Sequence, residues 1–137
     1  MPGGIAIVAI VPDDLRFSED HLWAEEESGL WRVGITDYAQ DHLGDVVDVT
    51  LPEAGTSVTA GEPCGVIEST KSVSDLIAPI TGIVERTNDA LAGSPELVNS
   101  DPYGQGWMVE IRAEPGGLSE QLARLIGPGG YRQLTGE

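Results

Sequence analysis

The sequence CGVIESTKSVSDLIAP, residues 64–79, predicts a β-hairpin. Strand-type residues lie at its two ends, from Cys64 to Ile67 and from Leu76 to Pro79, and a short polar segment separates them. Two such runs around a polar turn are typical of antiparallel strands joined by a hairpin connection. Lys71, in the middle of the polar segment, is therefore expected at the tip of the hairpin and exposed to solvent.

Lys71 is the only lysine among the seven Lys and Arg residues of the chain. A primary amine on a long flexible side chain can be acylated by an enzyme, and a guanidinium group cannot replace it in that reaction. A lysine in a turn is also commonly a solvated charge with no further role. The position alone leaves both interpretations open, and the residues around it decide between them.

The hairpin resembles the lipoyl-lysine hairpin of the glycine cleavage system H protein. The matching residues are Glu68-Ser69-Thr70-Lys71, Ser72-Val73-Ser74-Asp75-Leu76, Ala78-Pro79 and Gly82. Further segments match the same family, in register from about Val11 to Arg112, namely Phe17–His21, Val33–Gln40, Leu43–Val47 and Pro95–Gly104. The resemblance implies a mainly β fold, a lipoyl-domain-like β-sandwich (barrel-sandwich hybrid) with short helices and a C-terminal helix. It also implies that lipoate is attached covalently to Lys71.

The same resemblance implies a carrier protein that is not itself an enzyme. The lipoyl group would receive an aminomethyl group from glycine decarboxylase (the P protein), a pyridoxal-phosphate enzyme, and deliver it to the folate-dependent aminomethyltransferase (the T protein). The flavin-dependent dihydrolipoamide dehydrogenase (the L protein) would then reoxidise the dithiol, and lipoylating enzymes would attach the cofactor. In such a system the cofactor carries the chemistry and the protein orients it.

Three further residues enter the candidate site through the resemblance. Glu68 and Asp75 flank the lysine and are expected to serve recognition by lipoylating enzymes and docking of the arm, or else to be solvated carboxylates at strand ends. His42 matches a position near the cleft in which the loaded arm rests. The loop from Asn99 to Gly104 is expected to be structural, because Asn, Ser and Asp side chains bond nearby backbone in turns.

Two residues depart from the family pattern. The family has His-Glu-Trp where this chain has His21-Leu22-Trp23, and the missing carboxylate is expected to face the aminomethyl-loaded arm. A charge-assisted hydrogen bond of this kind is worth about 1–3 kcal/mol, so Leu22 favours an alternative, an H-like lipoyl carrier used in sulfur transfer or a lipoyl relay. Cys64 replaces a usually aromatic residue, and is expected to be a partly buried small side chain or a reactive thiol close to the arm.

Short β-type segments recur outside the hairpin. Trp31-Val33-Ile35, Val47-Val49-Leu51 and Trp107-Val109-Ile111 each alternate with other side chains, and turn residues separate them. This period of two favours an all-β sandwich or barrel.

Two helices interrupt the β pattern. Thr36 is expected to cap a helix over Asp37–Leu43, which Gly44 ends because glycine tolerates positive φ. A second helix is predicted from the spacing of Leu118, Leu122, Leu125 and Ile126, with Gly127-Pro128 as its stop.

The length of 137 residues predicts one domain. Residues 11–137 are expected to form the carrier domain, and residues 1–10 an N-terminal extension or edge strand. The apolar run from Ile5 to Val11 is far shorter than the roughly 20 residues that span a bilayer, and residues 1–4 lack the basic side chains of a secretory signal. A cytoplasmic protein without membrane association is therefore expected, and it is also expected to be a monomer.

Charge and motifs exclude several function classes. A formal net charge of −16 would repel nucleic-acid phosphates, while it would either steer the chain toward basic partners or simply keep it soluble. Motifs of serine hydrolases, zinc peptidases and nucleotide-binding proteins are absent from the sequence, and His21 and His42 are weak candidates for catalysis or metal binding. The remaining alternative is an unmodified β-sandwich interaction module in which Lys71 is an ordinary surface residue.

Overall fold

The structure, a computed structural model, describes residues 9–136. Residues 1–8, most of the predicted N-terminal extension, lie outside the described residues, and residues 9–12 form no strand. The described strands are β1 (Arg16–Phe17), β2 (Leu22–Glu27), β3 (Leu30–Ile35), β4 (Val46–Thr50), β5 (Ser57–Val58), β6 (Pro63–Ser69), β7 (Val73–Ile77), β8 (Gly82–Thr87) and β9 (Val109–Ala113). The helices are α1 (Asp37–Leu43), α2 (Ala90–Gly93), α3 (Leu97–Ser100), α4 (Leu118–Ala123) and α5 (Pro128–Thr135).

The strands form two antiparallel sheets. One has six strands in the order β1-β2-β3-β9-β8-β5, and the other has three in the order β4-β6-β7. Val33 and Ile111 from the larger sheet join Ile67 and Leu76 from the smaller one in a single buried apolar cluster. Burial of apolar surface between two sheets is the main source of stability in such a fold, and the predicted mainly β sandwich is confirmed.

A smaller apolar cluster lies beside the main core. Phe17, Trp23 and Tyr131 are its large buried members, and the rings of Phe17 and Tyr131 stack with their centroids 4.7 Å apart. Trp23 also explains a glycine on the neighbouring strand, because a Cβ on Gly34 would lie 2.7 Å from the indole Nε1. Since α5 supplies Tyr131, this cluster attaches the C-terminal helix to the sandwich.

The prediction for the C-terminal region was partly wrong. The helix that begins at Leu118 ends at Ala123, and Ile126 leaves it to form a bridge with Phe17. Pro128, predicted as part of the stop, is instead the first residue of α5. Proline fits the first turn of a helix because the amide hydrogen that it lacks has no partner within the helix there.

The prediction for α1 is confirmed at both ends. The Thr36 hydroxyl accepts a hydrogen bond from the backbone N–H of Ala39 at 3.1 Å, and Gly44 ends the helix with φ 79°. This short helix lies between β3 and β4, and its C-terminal end leads directly into the three-stranded sheet.

Two β-bulges, one in β4 and one in β6, change which side chains face the core, so the alternation of apolar residues does not predict burial there. The register of β4 against β6 shifts between Val46 and Asp48, so Val47 is an extra residue in its strand. Val46 is therefore buried, whereas Val47 is 50% exposed, contrary to the core-facing pattern that the alternation suggested. A similar shift between Pro63 and Gly65 makes Cys64 the bulged residue of β6. A bulge turns the following side chains to the opposite face.

Candidate cofactor-attachment site

Lys71 lies at the tip of the β6–β7 hairpin, as predicted. Strand β6 ends at Ser69 and β7 begins at Val73, so Lys71 is the middle residue of a three-residue connection and is exposed. The buried Ser69 hydroxyl accepts hydrogen bonds from the backbone N–H groups of Lys71 at 3.2 Å and Ser72 at 3.1 Å. The Ser69 N–H also donates to the Ser72 carbonyl at 2.8 Å. These bonds stabilise the turn that carries Lys71.

The turn is also bonded to the segment between α1 and β4. The Thr70 N–H donates to the carbonyl of Asp45 at 3.0 Å. The aliphatic part of Lys71 lies over Gly44, since a Cβ added to that glycine would be 3.2 Å from Lys71 Cε and 3.4 Å from Cδ. The Lys71 ammonium forms no ion pair with any residue of the described range 9–136. Its amine is thus supported along the stem and free at its end.

Asn99, on α3, forms hydrogen bonds to the segment between α1 and β4 that lies beside Lys71. Its amide oxygen accepts from the Val46 N–H at 2.9 Å, and its amide nitrogen donates to the Gly44 carbonyl at 2.8 Å and to Gln40 Oε1 at 3.0 Å. The structural role predicted for this loop agrees with these contacts. The three partners, however, are 53, 55 and 59 residues away along the chain, so local turn chemistry could not have identified Asn99 as a support of the lysine.

Glu68 and Asp75 lie on the outward face of the hairpin near Lys71. Glu68 pairs with Val73 and Val66 pairs with Asp75, which makes the two carboxylates diagonal neighbours on one face. Both side chains are exposed, and the structure shows no ion pair to either within residues 9–136. The two carboxylates of the predicted site are therefore brought together, on the two strands that the Lys71 turn connects.

His42 lies in the last turn of α1, the helix that ends under the Lys71 stem. Its ring is exposed, lies tilted against the ring of Tyr38 at a centroid distance of 4.1 Å, and has Nδ1 2.9 Å from the Tyr38 carbonyl oxygen. His21 stacks on Tyr38, with the ring centroids 4.9 Å apart. Burial lowers the pKa of His21 below its ordinary value, with repulsion from His42 adding to the effect and Asp20 opposing it.

A buried hydrogen-bond network behind α1 was not predicted. The Tyr131 hydroxyl lies 2.6 Å from the Thr36 hydroxyl, which caps α1, and 2.8 Å from His21 Nδ1. His21 has φ 65°, a conformation that residues other than glycine rarely adopt. In the sequence, Thr36 is recognisable as a helix cap and Tyr131 as an aromatic residue near the C-terminus. Nothing in the sequence indicates that their hydroxyl groups form a hydrogen bond.

The structure corrects the expectations for the two unusual residues. Leu22 is 2% exposed and belongs to the main apolar core, so in this structure it does not line an open cleft beside the lysine.

Cys64 lies at the other end of β6 from the turn, five residues before Ser69, which corresponds to roughly 16 Å along a strand. Burial raises the pKa of the Cys64 thiol to about 11, which argues against a reactive thiolate close to the arm.

Neither a metal cluster nor a membrane-spanning helix is found in residues 9–136. No cluster of three or more His, Cys, Asp or Glu side chains there has the arrangement of a metal site. The helices in the same range are all too short or too polar to cross a membrane.

The two-sheet sandwich with a lysine at an exposed hairpin tip defines the class of lipoyl-domain-like β-sandwich proteins. A solved structure of this class, the glycine cleavage system H protein from Mycobacterium marinum, matches the chain with a TM-score of 0.82 and 38% sequence identity. The match covers 93% of this chain and 100% of the other.

The sequence comparisons identify the family. The family model described as "Glycine cleavage H-protein" matches residues 15–136, and the chain belongs to this family. It is 54% identical over 123 residues to the glycine cleavage system H protein of Mycolicibacterium vanbaalenii, covering 89% of this chain and 94% of the relative. It is 52% identical over 128 residues to that of Mycolicibacterium smegmatis, covering 93% and 98%.

Proposed function

We propose that this protein is the lipoyl-bearing carrier of a glycine cleavage system and that Lys71 is its attachment site. The observation that carries this proposal is the position of the single lysine. It lies at the tip of a hydrogen-bonded turn, with a free amine, in a chain whose relatives are named glycine cleavage system H proteins. The site fits a lipoyl group because the amine is exposed and no side chain of the described residues pairs with it.

In this proposal the residues of the chain position the lipoyl group, and the lipoyl group itself carries out the group and electron transfer. Ser69 fixes the turn, and Gly44 leaves room for the stem of Lys71. Glu68 and Asp75 on the hairpin and His42 at the end of α1 are proposed to contact a partner enzyme or an arm that rests against the hairpin. The lipoyl dithiolane supplies a sulfur that accepts the aminomethyl group and a disulfide that accepts two electrons. The protein itself is accordingly a carrier without catalytic activity.

Four kinds of partner follow from this role. Glycine decarboxylase loads the arm, the aminomethyltransferase unloads it, and dihydrolipoamide dehydrogenase reoxidises it. Lipoylating enzymes attach the cofactor beforehand. The protein acts as a cytoplasmic monomer that meets these enzymes by diffusion, and its acidic surface favours encounter with partners that have basic rims.

The alternative pathway rested on Leu22, and the structure gives that residue another explanation. Its side chain is buried in the main core, where an apolar residue stabilises the sandwich. Packing in the core therefore explains why position 22 is apolar, whichever pathway the protein serves. Glycine cleavage is the better-supported function, and a direct assay separates the two. Lipoylated protein should support exchange of bicarbonate into glycine with its decarboxylase, and failure to do so would favour a reassigned carrier.

Lys71→Arg tests the attachment site. Incubation of the purified chain with lipoate, ATP and a lipoate ligase should add one lipoyl group, and the intact mass should show no addition to the variant. In the reaction the Lys71 nitrogen bonds to the acyl carbon of lipoyl adenylate, AMP leaves, and the ammonium gives up two protons in becoming an amide. Lipoylation of the Arg variant would contradict the assignment.

A further inference from the structure

A chain of hydrogen bonds joins the start of α1 to the imidazole ring of His21. The backbone N–H of Ala39 donates to the Thr36 hydroxyl at 3.1 Å, which lies 2.6 Å from the Tyr131 hydroxyl, and this in turn lies 2.8 Å from His21 Nδ1. Thr36 and Tyr131 are completely buried. The cap of the helix is therefore connected, through two hydroxyl groups shielded from water, to a ring that can take up a proton.

The protonation state of His21 decides whether this chain is fully bonded. Each hydroxyl group has one hydrogen to donate, and the Ala39 amide has another. When Nδ1 of a neutral ring is an acceptor, Tyr131 donates to His21, Thr36 donates to Tyr131, and Ala39 donates to Thr36. Three hydrogens then fill the three contacts of the chain.

Protonation of His21 breaks this match. An imidazolium ring carries hydrogen on both nitrogens and can only donate, so Nδ1 becomes a donor to Tyr131. Four hydrogens then share the three contacts, and one of the two hydroxyl groups can no longer donate within the chain. Since an unmade hydrogen bond in a buried position is costly, the cap contact of Thr36 is weaker in the protonated form.

The surroundings of the ring also oppose its protonation. The titratable groups around it are Tyr38 and His42 on α1, Tyr131 on α5, and the neighbouring Asp20. Burial lowers the pKa of His21 below its ordinary value of 6.5, and repulsion from His42 lowers it further, whereas Asp20 acts to raise it. Because the pKa is lowered by folding, the stability that the neutral ring contributes is complete above pH 6.5 and is lost as the pH falls below that value.

α1 carries the effect of His21 to the lysine. This helix has seven residues, which is too few for stability alone in water, so it depends on its cap and its contacts. It begins after Thr36 and ends at Gly44, where the missing Cβ leaves room for the stem of Lys71. A weaker cap therefore loosens the element on which the lysine stem rests.

We propose that His21 is a pH-sensitive positioning residue, whose neutral form holds the first turn of α1 and whose protonation loosens that turn and the support of Lys71. His21 acts through α1 and not on the attached cofactor. The inference rests on the proposed function and adds a regulation of the same site by pH.

His21→Asn tests the proposal. Asparagine does not titrate, tolerates the positive φ of this position, and can offer an amide oxygen in place of Nδ1. Hydrogen exchange of the Gln40 amide, which donates to the Thr36 carbonyl at 3.0 Å, reports opening of the first turn. Between pH 7.5 and 5.5, opening in the wild type should increase about threefold to tenfold, since one histidine of pKa 6.5 in the open state allows about tenfold. The variant should show no such increase, and the control His42→Gln should retain it.

NMR titration of the wild type provides a test that needs no variant. The His21 ring should titrate with a midpoint below pH 6.5, and the chemical shift of the Ala39 amide should follow the same curve. An Ala39 amide that does not respond to the titration of His21 would overturn the proposal, as would a pH-independent opening of Gln40.

Lipoylation connects the effect to the site. The full apo chain, lipoate, ATP and a lipoate ligase are used, and the rate for the wild type is divided by that for His21→Asn in the same buffer, so that the pH dependence of the ligase cancels. This ratio should fall about twofold to fivefold from pH 7.5 to 5.5. A constant ratio would overturn the regulation while leaving Lys71 as the attachment site. A wild-type chain that accepts no lipoyl group at either pH would contradict the proposed function and with it the regulation of the site.

Discussion

At the scale of single residues, Gly44 is placed to support the candidate site, because it lies directly beside the stem of Lys71. Its φ of 79° and ψ of −160° fall in a region that is essentially restricted to glycine. A side chain there would also contact the Lys71 stem. The residue thus ends α1 and leaves the space in which the lysine lies, two roles that depend on the same missing Cβ.

Gly44→Ala should therefore affect both stability and modification. We expect the free energy of unfolding to fall by about 1–3 kcal/mol because of backbone strain, and lipoylation of Lys71 to slow because its stem is displaced. Urea unfolding and ligase kinetics measure the two effects. Gly55→Ala is the matched control, since Gly55 also has positive φ, 91°, but an added methyl meets nothing within 4 Å. The control should lose stability alone, and equal lipoylation of the two variants would contradict the role of Gly44.

At the scale of elements, α5 stabilises the helix that supports the lysine. Tyr131 from α5 bonds the capping Thr36 at the start of α1, and α1 ends at Gly44 beneath Lys71. Asn99 from α3 fastens the C-terminal end of the same helix. The seven-residue α1 has too few turns to be stable alone in water, so its position depends on these contacts from other elements.

Tyr131→Phe should show this dependence. The ring that stacks on Phe17 remains, but Thr36 and His21 each lose a buried hydrogen-bond partner, so the free energy of unfolding should fall by about 1–3 kcal/mol. Chemical denaturation provides the measurement. Tyr38→Phe is the control, because no hydrogen bond of the Tyr38 hydroxyl is found in residues 9–136 and its stacked ring is retained. A loss as large for Tyr38→Phe would show that the effect does not come from the network.

At the scale of the whole molecule, charge is arranged unevenly around the sandwich. Glu110 in β9 accepts hydrogen bonds from Arg32 and Arg86 on the strands beside it. Burial acts to raise the pKa of Glu110, but the two arginines outweigh it and the pKa lies below its ordinary value. The six-stranded sheet thus neutralises part of its charge internally, whereas no ion pair within residues 9–136 involves a residue of the three-stranded sheet.

Salt should consequently have opposite effects on docking and on stability. Raising ionic strength from 0.01 to 0.15 M shortens the Debye length from about 30 to about 8 Å. The apparent affinity of the lipoylated chain for glycine decarboxylase should weaken, because steering by the net charge of −16 is screened. Tm should rise, since self-repulsion is screened as well. Steady-state kinetics and thermal melts test both, and a salt-independent affinity would leave the acidic surface with a role in solubility only.

The sequence by itself determined the local features of this protein. The hairpin of residues 64–79, the single lysine at its tip, the Thr36 cap and the Gly44 end of α1 all follow from patterns within a few residues. Such features depend on local backbone preferences and on alternation, which a sequence displays directly. The same is true of the net charge and of the motifs that carry the family resemblance.

Only the tertiary structure decided what surrounds the lysine. Asn99, Tyr131 and the bulge at Val47 act through contacts between distant parts of the chain, and no local pattern specifies such partners. The boundary at Pro128 was missed for a related reason, because a proline can mark either the end of one helix or the start of the next, and the packing of Tyr131 decides between the two. The burial of Leu22 could not be predicted for the same reason. Whether a strand residue is buried depends on which strands pack against it, and this is decided only when the two sheets pack together.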